Sequence, residues 1–355
     1  MRLFGFNNIA RALNGEQVPA PVVEDQFKLP PPPSDVKVFS GGRSVEGRRS
    51  ELRKTSQETS DAIQKGRYEF NSKIIDLRVK TQESCKGTKF YNTDSVVKEW
   101  ATSTPIASSS SSNASSSGSP VFSPTQISVL QISTIDAARL LDDMHHNNPS
   151  EAGNVIGVLN FASPLKPGGA FLGGSDGQEQ SIARASTLHS TLGTSEARQF
   201  YKQHGTQKQK GYYSHGMIYS PKVTVFRDDD GHWARRFEVD VLSCAAVNVN
   251  MVLNNNEGAS KAATLVTIEK EMKERMGRIL FLFEHNGVRD VILGAFGTGT
   301  FYNDVETVAR LWAELLVVPC ARFQRSFDRV IFAIVGKPTY DLFNNAFMAW
   351  DSDDL

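Results

Sequence analysis

The chain has 355 residues, enough for one large domain or two small ones, and its 39 Lys and Arg residues balance its 39 Asp and Glu residues. A net charge of zero gives no basic excess of the kind that favours direct DNA binding, although a small anionic ligand needs only a local positive field. No apolar run approaches the ~18–20 residues that span a bilayer, so no membrane partner is predicted.

The cysteines and histidines indicate neither a disulfide framework nor a metal centre. Cys85, Cys244 and Cys320 form no CxxC pair, and their odd number favours a reducing compartment. The histidines are scattered without HExxH or CxxC…H spacing, so no metal and no cofactor are predicted. Arg2 and Arg11 in an acid-free stretch only weakly resemble a mitochondrial presequence. The predicted location is therefore intracellular, in the cytoplasm or nucleus rather than in mitochondria.

The first half of the chain contains two segments that are expected to be disordered. Residues 1–43 are predicted to be a tail, because Pro30-Pro31-Pro32-Pro33 fits neither a helix nor a central strand. Structure is expected near Ser44, and the charged segment Ser50–Arg67 is predicted to be a helix on the surface, since its apolar positions are sparse. The serine-rich stretch Thr102–Pro124 is predicted to be a disordered insertion within the domain, because it cannot bury apolar area.

From Gln126 onward, short apolar runs alternate with segments of helical periodicity. The predicted strands are Ile127–Ile132, Asn154–Asn160, Met217–Phe226, Phe237–Asn248, Asp290–Ala295 and Asp328–Val335. The predicted helices are Thr134–His146, Gln178–Leu192, Ser260–Glu284 and Asp304–Leu316. This alternation predicts an α/β sheet with helices on both faces. Residues 339–355 form either a last helix or a free tail.

Two glycine-rich loops follow predicted central strands, where open α/β sheets bind their ligands. The loop Gly294–Asp304 opens a helix, and Asn303 with Glu306 resembles a capping box. Its glycines let backbone N–H groups approach a ligand closely, and the helix amino terminus adds partial positive charge. We predict an anion cradle suited to phosphate or diphosphate, with a simple tight turn as the alternative. No GK[ST] follows, so this is not a P-loop.

The other loop, Asn160–Gln180, contains two prolines and five glycines. Asn160 is placed to hydrogen-bond a ribose hydroxyl, although such a residue often just caps a turn. Glu179 lies where the loop gives way to a helix. Its carboxylate is either favoured there by the helix dipole alone or aimed into the cleft.

The pattern PxxPGGxFxxGxxxQEx at Pro164–Gln180 resembles the microbial-type poly(ADP-ribose) glycohydrolases, whose signature is three glycines, six to eight residues and Gln-Glu-Glu. Further similar segments support the resemblance over residues 45–337. They are Arg53–Tyr68, Tyr219–Asp228, Val239–Asn248, Arg275–Gly287 and Gly294–Asp304. The resemblance implies a macrodomain-like mixed central sheet with helices on both faces and an amino-terminal helical extension, together filling residues 44–338.

The resemblance also implies roles for individual residues. Asn160, Gly168 and Gly169 would line the distal ribose beside Ala170, Gln178 would position the loop, and Glu179 would hold ribose hydroxyls. The second loop would cradle the diphosphate, with Phe301 packed on a sugar or ring. Its residues are Gly297, Thr298, Gly299, Thr300 and Phe301. The implied ligand is ADP-ribose or poly(ADP-ribose), free or attached to ADP-ribosylated proteins.

The departure from the family pattern lies at the catalytic position. The family's second glutamate protonates the leaving ribose oxygen and then assists a water, whereas this chain has Gln180 there. A second departure is Ala170 in place of a glycine, where a Cβ would crowd the ribose or disfavour positive φ. An amide cannot deliver a proton near neutral pH. We therefore predict a binding module with weakened or lost hydrolysis. The alternative is an active glycohydrolase that uses Glu179 or another acid. Neighbouring side chains at a helix start diverge by about 100°, so Glu179 is expected to need a local rearrangement for that task.

Overall fold

The computed structural model describes residues 45–103, 124–151, 153–206, 210–256 and 260–350. The predicted tail at residues 1–43 and most of the predicted serine-rich insertion lie outside these ranges. Among the described helices, none is both long and apolar enough to cross a membrane.

A seven-stranded mixed sheet forms the centre of the fold. A separate antiparallel hairpin consists of β1 (Arg67–Phe70) and β2 (Lys73–Asp76). The central sheet contains β3 (Lys89–Tyr91), β4 (Gln126–Leu130), β5 (Ile156–Phe161), β6 (Met217–Arg227), β7 (Trp233–Cys244), β8 (Asp290–Leu293) and β9 (Arg329–Ala333). Their order across the sheet is β3-β6-β7-β5-β8-β9-β4. Strands β7, β5, β8, β9 and β4 run parallel, and β6 is antiparallel to both of its neighbours.

Helices cover both faces of this sheet. They are α1 (Val45–Lys65), α2 (Arg78–Gly87), α3 (Thr134–Asn147), α4 (Gln178–Ala185), α5 (Leu188–Leu192), α6 (Ser195–Thr206), α7 (Val249–Asn255), α8 (Lys261–His285), α9 (Val305–Leu316) and α10 (Lys337–Met348). Successive residues of β5 alternate between two cores: Val158 packs with α3 to α6, and Leu159 packs with α8 to α10. The predicted fold class, a mixed α/β sheet with helices on both faces and an amino-terminal helical extension, is confirmed.

Most predicted elements appear within a few residues of their expected bounds, but two were wrong in extent. The segment Gln178–Leu192 is two helices, because Ser186 adopts an extended backbone and forms a bridge with Val225 of β6. The strand predicted to reach Asn248 ends at Cys244, and the Asn248 side chain instead caps α7. In the carboxy-terminal segment, the helix α10 ends at Met348 and buries Phe343 and Phe347 fully, while residues 351–355 lie outside the described ranges.

The expectation that the first helix lies on the surface is wrong for one of its faces. The buried face carries Ser56, Thr59 and Ala62. The Ser56 hydroxyl donates to the Phe171 carbonyl at 2.8 Å, and the Thr59 hydroxyl donates to the Arg184 carbonyl at 2.7 Å. This face docks through hydroxyl groups rather than through an apolar stripe, so hydrophobic periodicity does not reveal it.

Candidate functional site

The two glycine-rich loops leave the same edge of the sheet. The first follows β5 and the second follows β8, and these two strands are parallel neighbours. Phe161 at the end of β5 packs against Phe296 in the second loop, with ring centroids 5.5 Å apart. The fold therefore brings together the two segments singled out from the sequence, as the carboxyl ends of adjacent parallel strands require.

Asn160 lies at the end of β5 with its side chain fully buried. Its Nδ2 donates to Ser243 Oγ on neighbouring β7 at 2.9 Å, while its Oδ1 has no partner. The amide is therefore oriented by Ser243 and keeps one acceptor oxygen uncommitted. A buried acceptor of this kind points to a ligand group that donates a hydrogen bond.

Gln178 connects the start of α4 to the end of β5. Its Oε1 accepts from the Phe161 amide at 2.9 Å, and its Nε2 donates to the Leu159 carbonyl at 2.7 Å and to Thr134 Oγ1 at 3.2 Å. Both ends of the amide are used, so this side chain fixes the helix start relative to the strand. The positions of Glu179 and Gln180, the next two residues of α4, are therefore also fixed relative to β5.

Glu179 is buried, with only 3% of its surface exposed. Its Oε2 accepts from the Ser163 amide at 2.8 Å, and its Oε1 has no hydrogen-bond partner. Burial raises the pKa of this carboxyl to about 8, against the opposing effects of the Ser163 amide, Asn160 and the Gly168 amide. The group is therefore largely protonated at neutral pH when no ligand is bound, and it can donate as well as accept.

The glycines of the first loop allow its backbone to lie directly over these side chains. Gly168 and Gly169 have φ of +66° and +59°, which disfavours any residue with a Cβ. A Cβ added to Gly169 would lie 2.2 Å from Gln180 Nε2 and 2.9 Å from Glu179 Oε2. Ala170 has φ −110° and is exposed, so the alanine at the expected third glycine strains no backbone.

Gln180 lies between two loop glycines. Its amide approaches Gly169 on one side and Gly177 on the other, where an added Cβ would lie 2.3 Å from its Oε1. Glu179 and Gln180 were expected to diverge, but both side chains approach Gly169. The local reason is that the loop folds back over the first turn of α4. A carboxylic acid and an amide therefore lie next to each other beneath the same glycine.

The second loop is shaped by Gly297, whose φ of +77° and close surroundings exclude a side chain. A Cβ there would lie 2.5 Å from the Ala246 Cβ and 2.6 Å from Asn303 Nδ2. Gly299 instead borders open space, with no atom within 4 Å of an added Cβ. Thr298 Oγ1 donates to the Ala295 carbonyl at 2.9 Å, and Thr300 is exposed at the tip. The loop thus has a fixed base and an open face.

The capping box predicted at Asn303 is wrong. Asp304 caps α9 by accepting from the Thr307 amide at 2.8 Å. Asn303 instead donates from Nδ2 to the Val247 carbonyl at 2.8 Å and to the Gly297 carbonyl at 3.0 Å. The short polar side chain supports the glycine turn from beneath, while the next residue caps the helix.

Two aromatic residues near the loops were not predicted from the sequence. Tyr213 packs on Phe301 with ring centroids 5.9 Å apart, and the Phe301 carbonyl accepts from the Val249 amide at 2.9 Å. Burial and, after it, the negative charge of Glu179 raise the pKa of the Tyr201 phenol on α6. Neither residue lies in a recognisable motif. Among the described residues, no group of three or more His, Cys, Asp or Glu side chains is arranged to hold a metal ion.

Residues 56–228 match the family model of the microbial-type PARG catalytic domain, where PARG denotes poly(ADP-ribose) glycohydrolase. The fold is similar to that of poly(ADP-ribose) glycohydrolase from Thermomonospora curvata, with 30% identity and a TM-score of 0.70 over 84% of this chain and 100% of that chain. The Thermomonospora curvata structure bound to the inhibitor ADP-HPD is similar at 29% identity and a TM-score of 0.70, with the same coverage. The Deinococcus radiodurans enzyme in complex with ADP-ribose shares 26% identity and a TM-score of 0.62 over 77% of this chain and 98% of that chain. No curated protein sequence matches the chain.

Proposed function

This chain belongs to the microbial-type poly(ADP-ribose) glycohydrolase family, and from that premise we propose that it binds ADP-ribose while its glycosidic hydrolysis is weakened or lost. The ligand is free ADP-ribose or the terminal unit of poly(ADP-ribose), including polymer attached to modified proteins. Two similar structures carry ADP-ribose or the inhibitor ADP-HPD, which supports this ligand class.

The observation that carries the proposal is the pair of unpartnered oxygens at the end of β5. Asn160 Oδ1 and Glu179 Oε1 are buried and accept no hydrogen bond within the protein. Buried polar atoms in folded proteins almost always have partners, so this pair favours a ligand that donates to Asn160 Oδ1 and exchanges a second hydrogen bond, in either direction, with Glu179 Oε1. The neighbouring hydroxyls of a ribose have that chemistry. We assign the distal ribose to this place, lined by Gly168 and Gly169 and bordered by Ala170.

The diphosphate is assigned to the second loop. Gly297 sets the turn, and the open face beyond Gly299 leaves room for a ligand against the backbone of Thr298 and Thr300. The amino terminus of α9 adds partial positive charge there. Phe301 is supported by Tyr213 and offers an aromatic surface for a sugar or ring.

Weakened hydrolysis follows from Gln180. Cleavage of the ribose–ribose bond needs a proton for the leaving oxygen and a base for the attacking water. The amide of Gln180 lies against Gly169, and it can neither donate that proton nor act as that base. General acid–base assistance is typically worth about 10²–10⁴-fold in rate. Compared with a protein that has glutamate at position 180, we expect turnover to be slower by about that factor. The other contacts to ADP-ribose are expected to remain.

A second candidate function, hydrolysis with Glu179 as the acid, is favoured by one observation. Glu179 has a pKa raised to about 8 by burial and lies next to Gln180 beneath Gly169. It therefore carries a proton at neutral pH close to the acid position. In that case wild-type turnover of poly(ADP-ribose) would be measurable, and Glu179→Gln would abolish it.

Calorimetric titration with ADP-ribose tests the proposed binding. We expect a saturable heat with one ligand per chain, and a much weaker heat with AMP, which lacks both the distal ribose and one phosphate. The absence of any heat at millimolar ADP-ribose would overturn the proposal.

A further inference from the structure

The second half of the first loop lies along one face of α1. The Ser56 hydroxyl donates to the Phe171 carbonyl at 2.8 Å, and Arg53 Nε donates to the Gly173 carbonyl at 3.1 Å. The Ser56 hydroxyl lies equally close to the Leu52 carbonyl of its own helix, so its one proton is shared between the helix and the loop. Two side chains of α1, three residues apart, thus hold two carbonyls of the loop, two residues apart.

The end of the loop is held by close backbone contact and by an ion pair. Gly174 has φ of +75°, and a Cβ added there would lie 2.2 Å from the Arg49 carbonyl oxygen. Arg48 Nε donates to Asp176 Oδ2 at 2.6 Å, and the other oxygen of that carboxylate accepts from Arg184 Nη2 of α4 at 3.3 Å. As the loop advances from residue 171 to 176, its partners on α1 recede from residue 56 to 48. The loop therefore runs antiparallel to the helix over about two turns.

Phe171 connects these contacts to the glycines assigned to the distal ribose. Its amide donates to the Gly168 carbonyl at 3.2 Å, and its ring is buried against His189, with centroids 4.6 Å apart. A Cβ added to Gly168 would lie 3.2 Å from both rings. Two hydrogen bonds through Phe171 thus separate Gly168 from the Ser56 hydroxyl on α1.

We propose that α1 sets the affinity for the distal ribose, with Ser56 and Arg53 as positioning residues that hold the first loop in its ligand-binding shape; this rests on the ADP-ribose binding proposed above. Gly168 and Gly169 have positive φ, and glycine loses more conformational entropy than other residues when it is ordered. The backbone hydrogen bonds within the loop join residues only a few positions apart, whereas the Ser56 and Arg53 contacts join positions 115 and 120 apart. Because the helix ties the loop to the rest of the fold before the ligand arrives, less order has to be imposed on binding.

The variants Ser56→Ala and Arg53→Ala test the proposal, because each removes one contact to the loop and no group assigned to the ligand. The Kd for ADP-ribose should rise about threefold in each and about tenfold in the double variant, as expected for losing one modest hydrogen bond or two. The Kd for ADP, which lacks the distal ribose, should stay the same. Arg53→Lys keeps a donor for the Gly173 carbonyl and should bind ADP-ribose more tightly than Arg53→Ala. Without ligand, amide hydrogen exchange at Gly173 and Gly174 should be faster in the double variant than in the wild type.

Two controls separate loop positioning from general effects on the helix. Thr59 lies one turn further along the same buried face, but its hydroxyl donates to the Arg184 carbonyl of α4. Thr59→Val should therefore lower Tm and leave the Kd for ADP-ribose unchanged. Glu46→Ala removes the 3.4 Å ion pair of Arg53 but keeps its contact to the loop, so it should also leave that Kd unchanged.

An unchanged Kd for ADP-ribose in the double variant, with the wild type binding ADP-ribose, would overturn the inference alone. Equal losses of affinity for ADP and ADP-ribose would do the same, as would a rise in Kd for Thr59→Val as large as that for Ser56→Ala. Failure of the wild type to bind ADP-ribose would overturn the proposed function and this inference with it.

Discussion

Replacing Glu179 by glutamine should change how the stability of the unliganded protein depends on pH. The substitution keeps the size and shape of the side chain but removes its ionisation. Glu179 is 3% exposed, and burial raises its pKa from 4.5 to about 8. The groups that oppose this shift, the Ser163 and Gly168 amides and Asn160, are all neutral. Desolvation is therefore the dominant effect on the carboxyl.

The sign and size of the effect follow from that pKa difference. Because the folded pKa lies above the unfolded one, the neutral acid favours the folded state, and this contribution is fully present below pH 4.5. This contribution is lost as the pH rises from 4.5 towards 8, because Glu179 ionises in the unfolded chain but stays protonated in the folded protein. Between pH 4.5 and 7 the loss is about 3 kcal/mol.

Urea unfolding at pH 5, 6, 7 and 8 measures this difference directly. The free energy of unfolding of the wild type should fall relative to that of Glu179→Gln at each step. At pH 5 the two proteins should be close in stability, and at pH 7 the variant should be the more stable. Parallel pH profiles would refute the account, because they would mean that Glu179 ionises in the folded state as readily as in the unfolded chain.

Five further substitutions at four positions test the roles proposed for backbone and side chains. Gly297→Ala should lower both Tm and ADP-ribose affinity, because the added Cβ would meet the Ala246 side chain. Gly299→Val should lower only the ADP-ribose affinity measured by calorimetry, because position 299 faces open space. Thr59→Val should lower Tm, since it leaves a carbonyl on α4 without its 2.7 Å hydrogen bond, and Thr59→Ser should restore it in the same thermal melt. Asp304→Ala should cost about 1 kcal/mol in urea unfolding through loss of the α9 cap, and an unchanged value would contradict its capping role.

The central part of the fold could be predicted from the sequence, because its strands are continuous apolar runs between clear turns. The runs at β5 and β8 predicted central, buried strands, and both are central in the sheet. The same reasoning fails for α1, whose docked face presents Ser56 and Thr59. Polar docking of this kind depends on partners 115 and 125 residues away, which no local pattern contains.

The site likewise has features that the local sequence indicates and features that depend on the fold. Glycine spacing indicated both loops, because positive φ and close approach leave a local signature at Gly169 and Gly297. The convergence of Glu179 and Gln180 beneath Gly169 depends on how the loop folds back over α4, and helical geometry alone predicted that they diverge. Tyr213 was missed because it lies outside both loops and in no motif. Only the fold places its ring against that of Phe301.

The rate of ADP-ribose release from poly(ADP-ribose), measured for the wild type and for Gln180→Glu side by side, tests the central claim most directly. Both proteins should bind ADP-ribose, and the glutamate variant should release it at least about 100-fold faster, since it regains a general acid and base at the catalytic position. Equal rates in the two proteins would contradict the account, because they would show that Gln180 does not limit hydrolysis.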